Sequence, residues 1–139
     1  MNILFLCVAN SARSQMAEGL AKSMLGSEHN IKSAGSIPSG EVHAHAVIAM
    51  DEIGIDIRDQ YSKSTDDLDK SFIDSLDFAI TLCAEEVCPV LPSNANSLHW
   101  MNEDPANETY TKQQLESSFR TTRDNIYNLI KKFMIMNVQ

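Results

Sequence analysis

Cys7, Arg13, Cys83 and Cys88 are the residues whose types and spacing can do chemistry in this chain of 139 residues. Cys7 and Arg13 bracket the stretch CVANSAR, a Cys-x5-Arg spacing, with Ser14 directly after the arginine. The stretch lies between an apolar run, NILFL at residues 2–6, and a segment of helical periodicity starting at Ser14. A strand–loop–helix turn aims successive backbone N–H groups inward, and the helix N-terminus adds positive potential. Val8, Ala9, Asn10, Ser11, Ala12, Arg13 and Ser14 therefore form a candidate cradle for a tetrahedral oxyanion. Arg13 can hold two of its oxygens in a bidentate fork that a lysine cannot reproduce. The same field favours the thiolate of Cys7 over the thiol, and a thiolate beside a bound oxyanion is a nucleophile. Ser14 reads either as the helix N-cap or as a hydrogen-bond donor to that thiolate. The bland alternative is a small buried hydrophobe near a solvated arginine.

The elements that would position these residues alternate along the chain. NILFL suits a strand buried on both faces. SQMAEGLAKSML puts Met16, Ala17, Leu20, Ala21 and Met24 at helical spacing, with Gly26 as a stop. Ile31 to Ala34 suggest a second strand, and His43 to Ile53 a second helix ending at Gly54. A weaker helix around Asp66–Asp74 leads into DFAITL at 77–82, and SLHW at 97–100 is a fourth strand candidate. From Thr111 to about Met136, Leu115, Phe119, Ile126, Leu129, Ile130 and Phe133 make one stripe of an amphipathic helix. Alternating strands and helices predict an α/β fold with a parallel sheet and right-handed crossovers. Ligands bind outside the carboxyl ends of the strands in such sheets, where both Cys7 and Cys83 fall.

Composition narrows the function classes. Nineteen acidic against eleven basic residues give a net charge of −8, which argues against nucleic acid as the main partner. No apolar run approaches the roughly 20 residues needed to span a membrane. MNILFLCVAN lacks a basic n-region and reads as a buried strand rather than a signal peptide, so a cytoplasmic protein is expected. In a reducing compartment an odd number of cysteines is not a structural disulfide framework. No repeat or linker divides the chain, so one domain over 1–139 is expected. His43, His45 and His99 have no standard zinc spacing and read as solvated or capping residues.

Five segments resemble a known family in the same order: CVANSARSQMAEG at 7–19, SAG at 33–35, TLCAEEVCP at 81–89, HWMNEDPA at 99–106 and FRTTRDNI at 119–126. They look like the low-molecular-weight tyrosine phosphatase superfamily, and within it most closely the thioredoxin-coupled arsenate reductases. The resemblance covers nearly the whole chain. It implies a three-layer fold, a four-stranded parallel sheet flanked by helices, with Cys7 as nucleophile, Arg13 as oxyanion clamp and Asp104 as general acid. It also matches Ser14 to the residue that hydrogen-bonds the nucleophile. Asn10, Glu18, Ser33, Ser64 and Asp66 fall where some members bind a potassium ion, and no other cofactor is implied. Read from the residues alone, Asp104 before Pro105 sits on a constrained loop that can overhang the site, although Asp-Pro is also a common turn former.

A phosphatase needs no second thiol, because water releases the phosphate. Arsenate can accept two electrons, and thiols can supply them. In the implied relay, Cys7 attacks arsenate, Cys83 attacks Cys7 as arsenite departs, and Cys88 then attacks Cys83 by thiol–disulfide exchange. The final Cys83–Cys88 disulfide is reduced by thioredoxin, with a glutaredoxin as the alternative donor. Were 83–88 helical, five steps of about 1.5 Å would part the two Cα atoms by roughly 7.5 Å. A disulfide needs about 4.4–6.8 Å, so a redox-dependent local rearrangement of about 80–95 is expected.

The chain departs from the family pattern in three places. AEEV places four residues between Cys83 and Cys88 where the family typically has six, Ala12 stands where many relatives carry a cysteine, and Ala9 stands where they have glycine. The Ala9 methyl narrows or reshapes a tight anion loop. The expected activity is a monomeric arsenate reductase with a weak phosphatase side activity, phosphate and sulfate competing as oxyanions. The alternatives are a low-molecular-weight protein tyrosine phosphatase, or a non-catalytic oxyanion-binding or redox-sensing module.

Overall fold

A computed structural model describes residues 1–84 and 94–138. Four strands, β1 (Asn2–Cys7), β2 (Asn30–Gly35), β3 (Phe78–Cys83) and β4 (Asn96–Asn102), form one parallel sheet in the order β2-β1-β3-β4. The chain leaves β1 to one side for β2 and returns to the other side for β3, so the topological switch point lies between β1 and β3.

The helices are α1 (Arg13–Leu25), α2 (Ala44–Asp51), α3 (Lys70–Asp74) and α4 (Lys112–Asn137), with a 3-10 turn at Thr65–Asp67. Alternation along the central strands sends side chains to two cores. Ile3, Phe5, Ile80 and Leu82 pack with Met16, Leu20, Met50, Phe119, Ile126 and Ile130 from α1, α2 and α4. Leu4, Leu6 and Ala34 pack on the other side with Phe72 and Leu76 from the α3 region. The architecture is therefore the expected three-layer α/β/α arrangement. Among the described residues, no helix is long and apolar enough to cross a membrane.

Three sequence expectations shift. The helix expected around Asp66–Asp74 is two pieces, because Ser64 and Asp67 close a capping box on the 3-10 turn and Leu68 is then extended, so α3 starts afresh at Asp69. The first helix begins at Arg13, and its N-cap is Ala12, whose side chain has nothing to donate or accept. Ser14 is thus not a cap. Cys83 closes strand β3, so the helical spacing considered for 83–88 does not start at Cys83, while Cys88 and its surroundings lie outside the described residues.

The FRTTRDNI stretch joins helix to helix. On α4, Arg120 grips the Glu52 carboxylate at 2.6 Å, while the buried Arg123 donates to the same carboxylate at 2.9 Å and to Ala49 O at 2.7 Å. These bonds pin the C-terminal end of α2 to α4, and Thr111 and Gln114 close a capping box at the start of α4.

Candidate active site

The loop between β1 and α1 is shaped from outside. The carbonyls of Val8, Ala9, Ser11 and Ala12 accept from the amides of Ile37, Ser39, His43 and Met16 at 2.9–3.0 Å. The Asn10 carbonyl accepts from Gln15 Nε2 at 3.0 Å. In a trans peptide the C=O and the following N–H point in opposite directions. Drawing these carbonyls to the rim turns the N–H groups of Ala9 to Arg13 toward the concave side, which is what an oxyanion needs. Gly35 lets the loop sit this close to β2: a Cβ there would collide with Val8 O and stand 2.9 Å from Asn10 N and 3.0 Å from Cys7 O.

Asn10 is the pivot of the loop. It is fully buried and holds a left-handed backbone, φ 48°, which asparagine tolerates better than most residues. Its Nδ2 donates to Ser14 Oγ at 2.8 Å and to Ser33 Oγ at 3.0 Å. Its Oδ1 accepts from Gln15 Nε2 at 3.0 Å and from the Lys63 amide at 2.9 Å. Ser14 Oγ lies 2.8 Å from Cys7 Sγ. Because Asn10 donates to Ser14, the serine hydroxyl proton is available to the sulfur, and a hydroxyl donating to a thiolate stabilises it.

Arg13 is almost completely buried and donates from Nη1 to Asn102 O at 3.0 Å. Asn102 ends β4 and pairs in register with Cys83, so the guanidinium is fixed at the same sheet edge as the second cysteine. Asp104, two residues further on, is exposed, and its Oδ1 accepts the Ala106 amide at 3.0 Å, a local turn that holds the carboxylate near the sheet edge. Burial and the neighbouring His45 hold His43 below the usual imidazole pKa, against the pull of Asp104. A cleft of about 580 Å3 runs from Asp104 along α4 past Gln114 and Asn125, and neither Cys7 nor Arg13 lines it.

Cys7 and Cys83 are buried cysteines at the ends of adjacent strands. Leu6 pairs with Thr81, which puts Cys83 one residue above the level of Cys7. One residue reverses the face in a strand. Cys7 belongs with Ile3 and Phe5 on the α1 side, and Cys83 with Thr81, Leu4 and Leu6 on the other.

The residues implied for potassium do not assemble into a cation site. Asn10, Glu18 and Ser33 converge, with Ser33 Oγ donating to Glu18 Oε1 at 2.6 Å. Both lone pairs of Asn10 Oδ1 are already taken by N–H groups. Lys63, buried, places its ammonium 3.7 Å from Glu18 Oε1, and Lys22 takes Glu18 Oε2 at 2.6 Å. Ser64 turns its hydroxyl to the Asp66 amide, and Asp66 is exposed. Two lysines thus face the one carboxylate. Burial lowers the Lys63 pKa below the usual lysine value, Glu18 opposes that shift and Lys22 adds to it.

The sequence reading missed Lys63, Gln15, Gln60 and Asn102. Gln60 Nε2 donates to Gln15 O and Oε1 at 2.9 Å, and Gln15 in turn holds Asn10. Neither Gln15, an ordinary polar residue on a helix start, nor Lys63, in an irregular polar segment, carried a signal in the sequence.

Residues 2–139 match the model of the low molecular weight phosphotyrosine protein phosphatase family. The chain belongs to that family. Among curated proteins it is 46% identical over 133 residues to an arsenate reductase of Halalkalibacterium halodurans, covering 94% of this chain and 93% of that one. Among solved structures it is similar to an arsenate reductase in the phosphate-binding state, at 32% identity, a TM-score of 0.79 and 96% of each chain. It is also similar to a thioredoxin-dependent arsenate reductase of Corynebacterium glutamicum, at 30% identity and a TM-score of 0.69, over 97% of this chain and 62% of that one.

Proposed function

We propose that this chain is an arsenate reductase that converts arsenate to arsenite through Cys7, Cys83 and Cys88 and is returned to its thiol form by thioredoxin. The observation that carries the reading is the placement of Cys83 on the strand next to Cys7, at the switch point of the sheet, beside a loop shaped for a tetrahedral oxyanion. The names of its relatives agree with it.

Arsenate enters the loop with its oxygens on the inward N–H groups and on Arg13. The Cys7 thiolate, receiving the Ser14 hydroxyl, attacks arsenic, and Asp104 protonates the departing oxygen, which leaves as water. A sulfur–arsenic bond replaces one arsenic–oxygen bond, and arsenic is still pentavalent. The Cys83 thiolate then attacks Cys7 Sγ. The Cys83 lone pair becomes the new S–S bond, the pair of the broken S–As bond stays on arsenic, and arsenite departs as As(III). Cys88 attacks Cys83, which frees the Cys7 thiolate, and thioredoxin reduces the Cys83–Cys88 disulfide.

The opposite facing of Cys7 and Cys83 adds a condition. Cβ vectors that point apart cannot be bridged without backbone movement. The end of β3 must leave its register before the first disulfide forms.

Phosphatase activity is the second reading. Nothing in the loop distinguishes phosphate from arsenate, so slow hydrolysis of an aryl phosphate by Cys7, Arg13 and Asp104 accompanies the main reaction. The test is arsenate-dependent NADPH consumption with thioredoxin and its reductase, on wild type and on Cys7→Ser, Cys83→Ser and Cys88→Ser. All three substitutions should abolish turnover, while only Cys7→Ser should abolish hydrolysis of p-nitrophenyl phosphate. Full arsenate turnover by Cys88→Ser would sink the three-thiol relay.

A further inference from the structure

Behind the anion loop lies a buried polar chain that runs away from the reacting sulfur. Ser14 is held by Asn10, Asn10 by Ser33, and Ser33 by Glu18, with every link at 3.0 Å or less. The chain ends on a carboxylate that is itself buried, and a buried carboxylate without a cation is strongly disfavoured. The cation at its end belongs to the protein. Lys63 is buried, its ammonium faces Glu18 Oε1 and donates to Tyr61 O at 3.1 Å, and it lies 4.4 Å from the centre of the Tyr61 ring. The same residue uses its main chain on both sides of the site: its amide donates to Asn10 Oδ1, and its carbonyl accepts from Gly35 N at 2.9 Å.

We propose that the Lys63 ammonium is a built-in monovalent cation, a positioning residue that completes the Glu18–Ser33–Asn10 chain and holds the anion loop in its oxyanion-binding shape without a metal ion. A monovalent metal ion is held by oxygen lone pairs. Here the Asn10 amide oxygen is saturated by N–H donors, and Glu18 carries two ammonium groups, so such an ion would have to displace Lys63 to enter. Among the described residues, no group of three or more His, Cys, Asp or Glu side chains offers another cation site.

Because Asn10 is the link between this chain and the loop, loss of the cation should be felt as loss of oxyanion affinity as well as of stability. The proposal rests on the loop being the substrate site, but its test does not need arsenate to be the substrate. Binding of inorganic phosphate is measured by calorimetry in choline chloride and in KCl at equal ionic strength, with melting temperatures in the same buffers. Wild type should show the same phosphate affinity and the same melting temperature in both salts. Lys63→Gln should bind phosphate at least tenfold more weakly in choline chloride, and KCl should restore most of that loss and raise its melting temperature, because the vacated space beside Glu18 admits the ion. Lys63→Met tests the same point with an apolar side chain.

A purely structural lysine predicts loss of stability with no salt-specific rescue. A wild type whose phosphate affinity rises with KCl over choline chloride overturns the proposal even if no variant folds. Unchanged affinity of Lys63→Gln in choline chloride overturns it as well. Absence of arsenate turnover in wild type, with these salt effects intact, would instead count against the reductase reading alone.

Discussion

Ser14→Ala tests the site where its geometry is tightest. The substitution removes one oxygen that sits 2.8 Å from both Cys7 Sγ and Asn10 Nδ2, and it leaves the backbone of α1 in place. Ser14 is fully buried, so water cannot replace the lost group. A hydrogen bond to a charged partner contributes about 1.5–3 kcal/mol. If that bond is made to the reacting thiolate, its loss slows Cys7 chemistry by roughly 10- to 150-fold, taking about 1.4 kcal/mol per factor of ten. The same factor should appear in three measurements at pH 7: alkylation of Cys7 by iodoacetamide, hydrolysis of p-nitrophenyl phosphate, and arsenate turnover with thioredoxin. Ser14→Thr keeps the hydroxyl and should recover most of the rate. The reasoning fails if Ser14→Ala alkylates and turns over within twofold of wild type, because the hydroxyl would then be spending its proton elsewhere.

Three further outcomes follow from other parts of the molecule. Gly35→Ala drives a Cβ into Val8 O and against Asn10 N, so it should lower stability by about 1–3 kcal/mol and weaken phosphate binding, measured by denaturant unfolding and calorimetry. Amide exchange should increase across Leu82–Cys83 when the Cys7–Cys83 disulfide is trapped in the Cys88→Ser protein, since the end of β3 must leave its register; identical protection in the reduced and the trapped protein would refute that step. Glu52 is held from the usual 4.5 down to about 2, first by its hydrogen bond from Arg120 and then by Arg123. A carboxylate with a depressed folded pKa stabilises the fold above its unfolded pKa and loses that contribution as pH falls toward the folded value. Glu52→Gln should therefore lower the melting temperature at pH 7, and the difference from wild type should shrink between about pH 4.5 and 2 and in high salt.

The central strands and the long last helix were readable because each rests on a local rule: apolar runs of five or six residues for buried strands, and one apolar stripe for α4. Boundaries moved where capping geometry decided them. The residues around Asp66 read as one weak helix, yet a second N-terminal start at Asp69 divides them, a choice made by Ser64 and Asp67 closing on each other. Ser14 could be read as a cap or as a partner of Cys7, and the helix start at Arg13 settles it as the partner.

What the sequence alone determined is the candidate loop, because Cys7, Arg13 and Ser14 are consecutive features of one strand–loop–helix turn and the chemistry proposed for them follows from local spacing. What the tertiary structure decided is everything that arrives from far along the chain. The Asn102 carbonyl that holds Arg13 comes from 89 residues away, the Lys63 amide that holds Asn10 from 53, and the Ser33 hydroxyl from 23. Parallel strands joined by crossovers bring such residues to one sheet edge, and no spacing rule in a single sequence encodes which polar atom will meet which. That is why a candidate nucleophile was legible from its neighbours, while the lysine beside Glu18 became visible only in the folded chain.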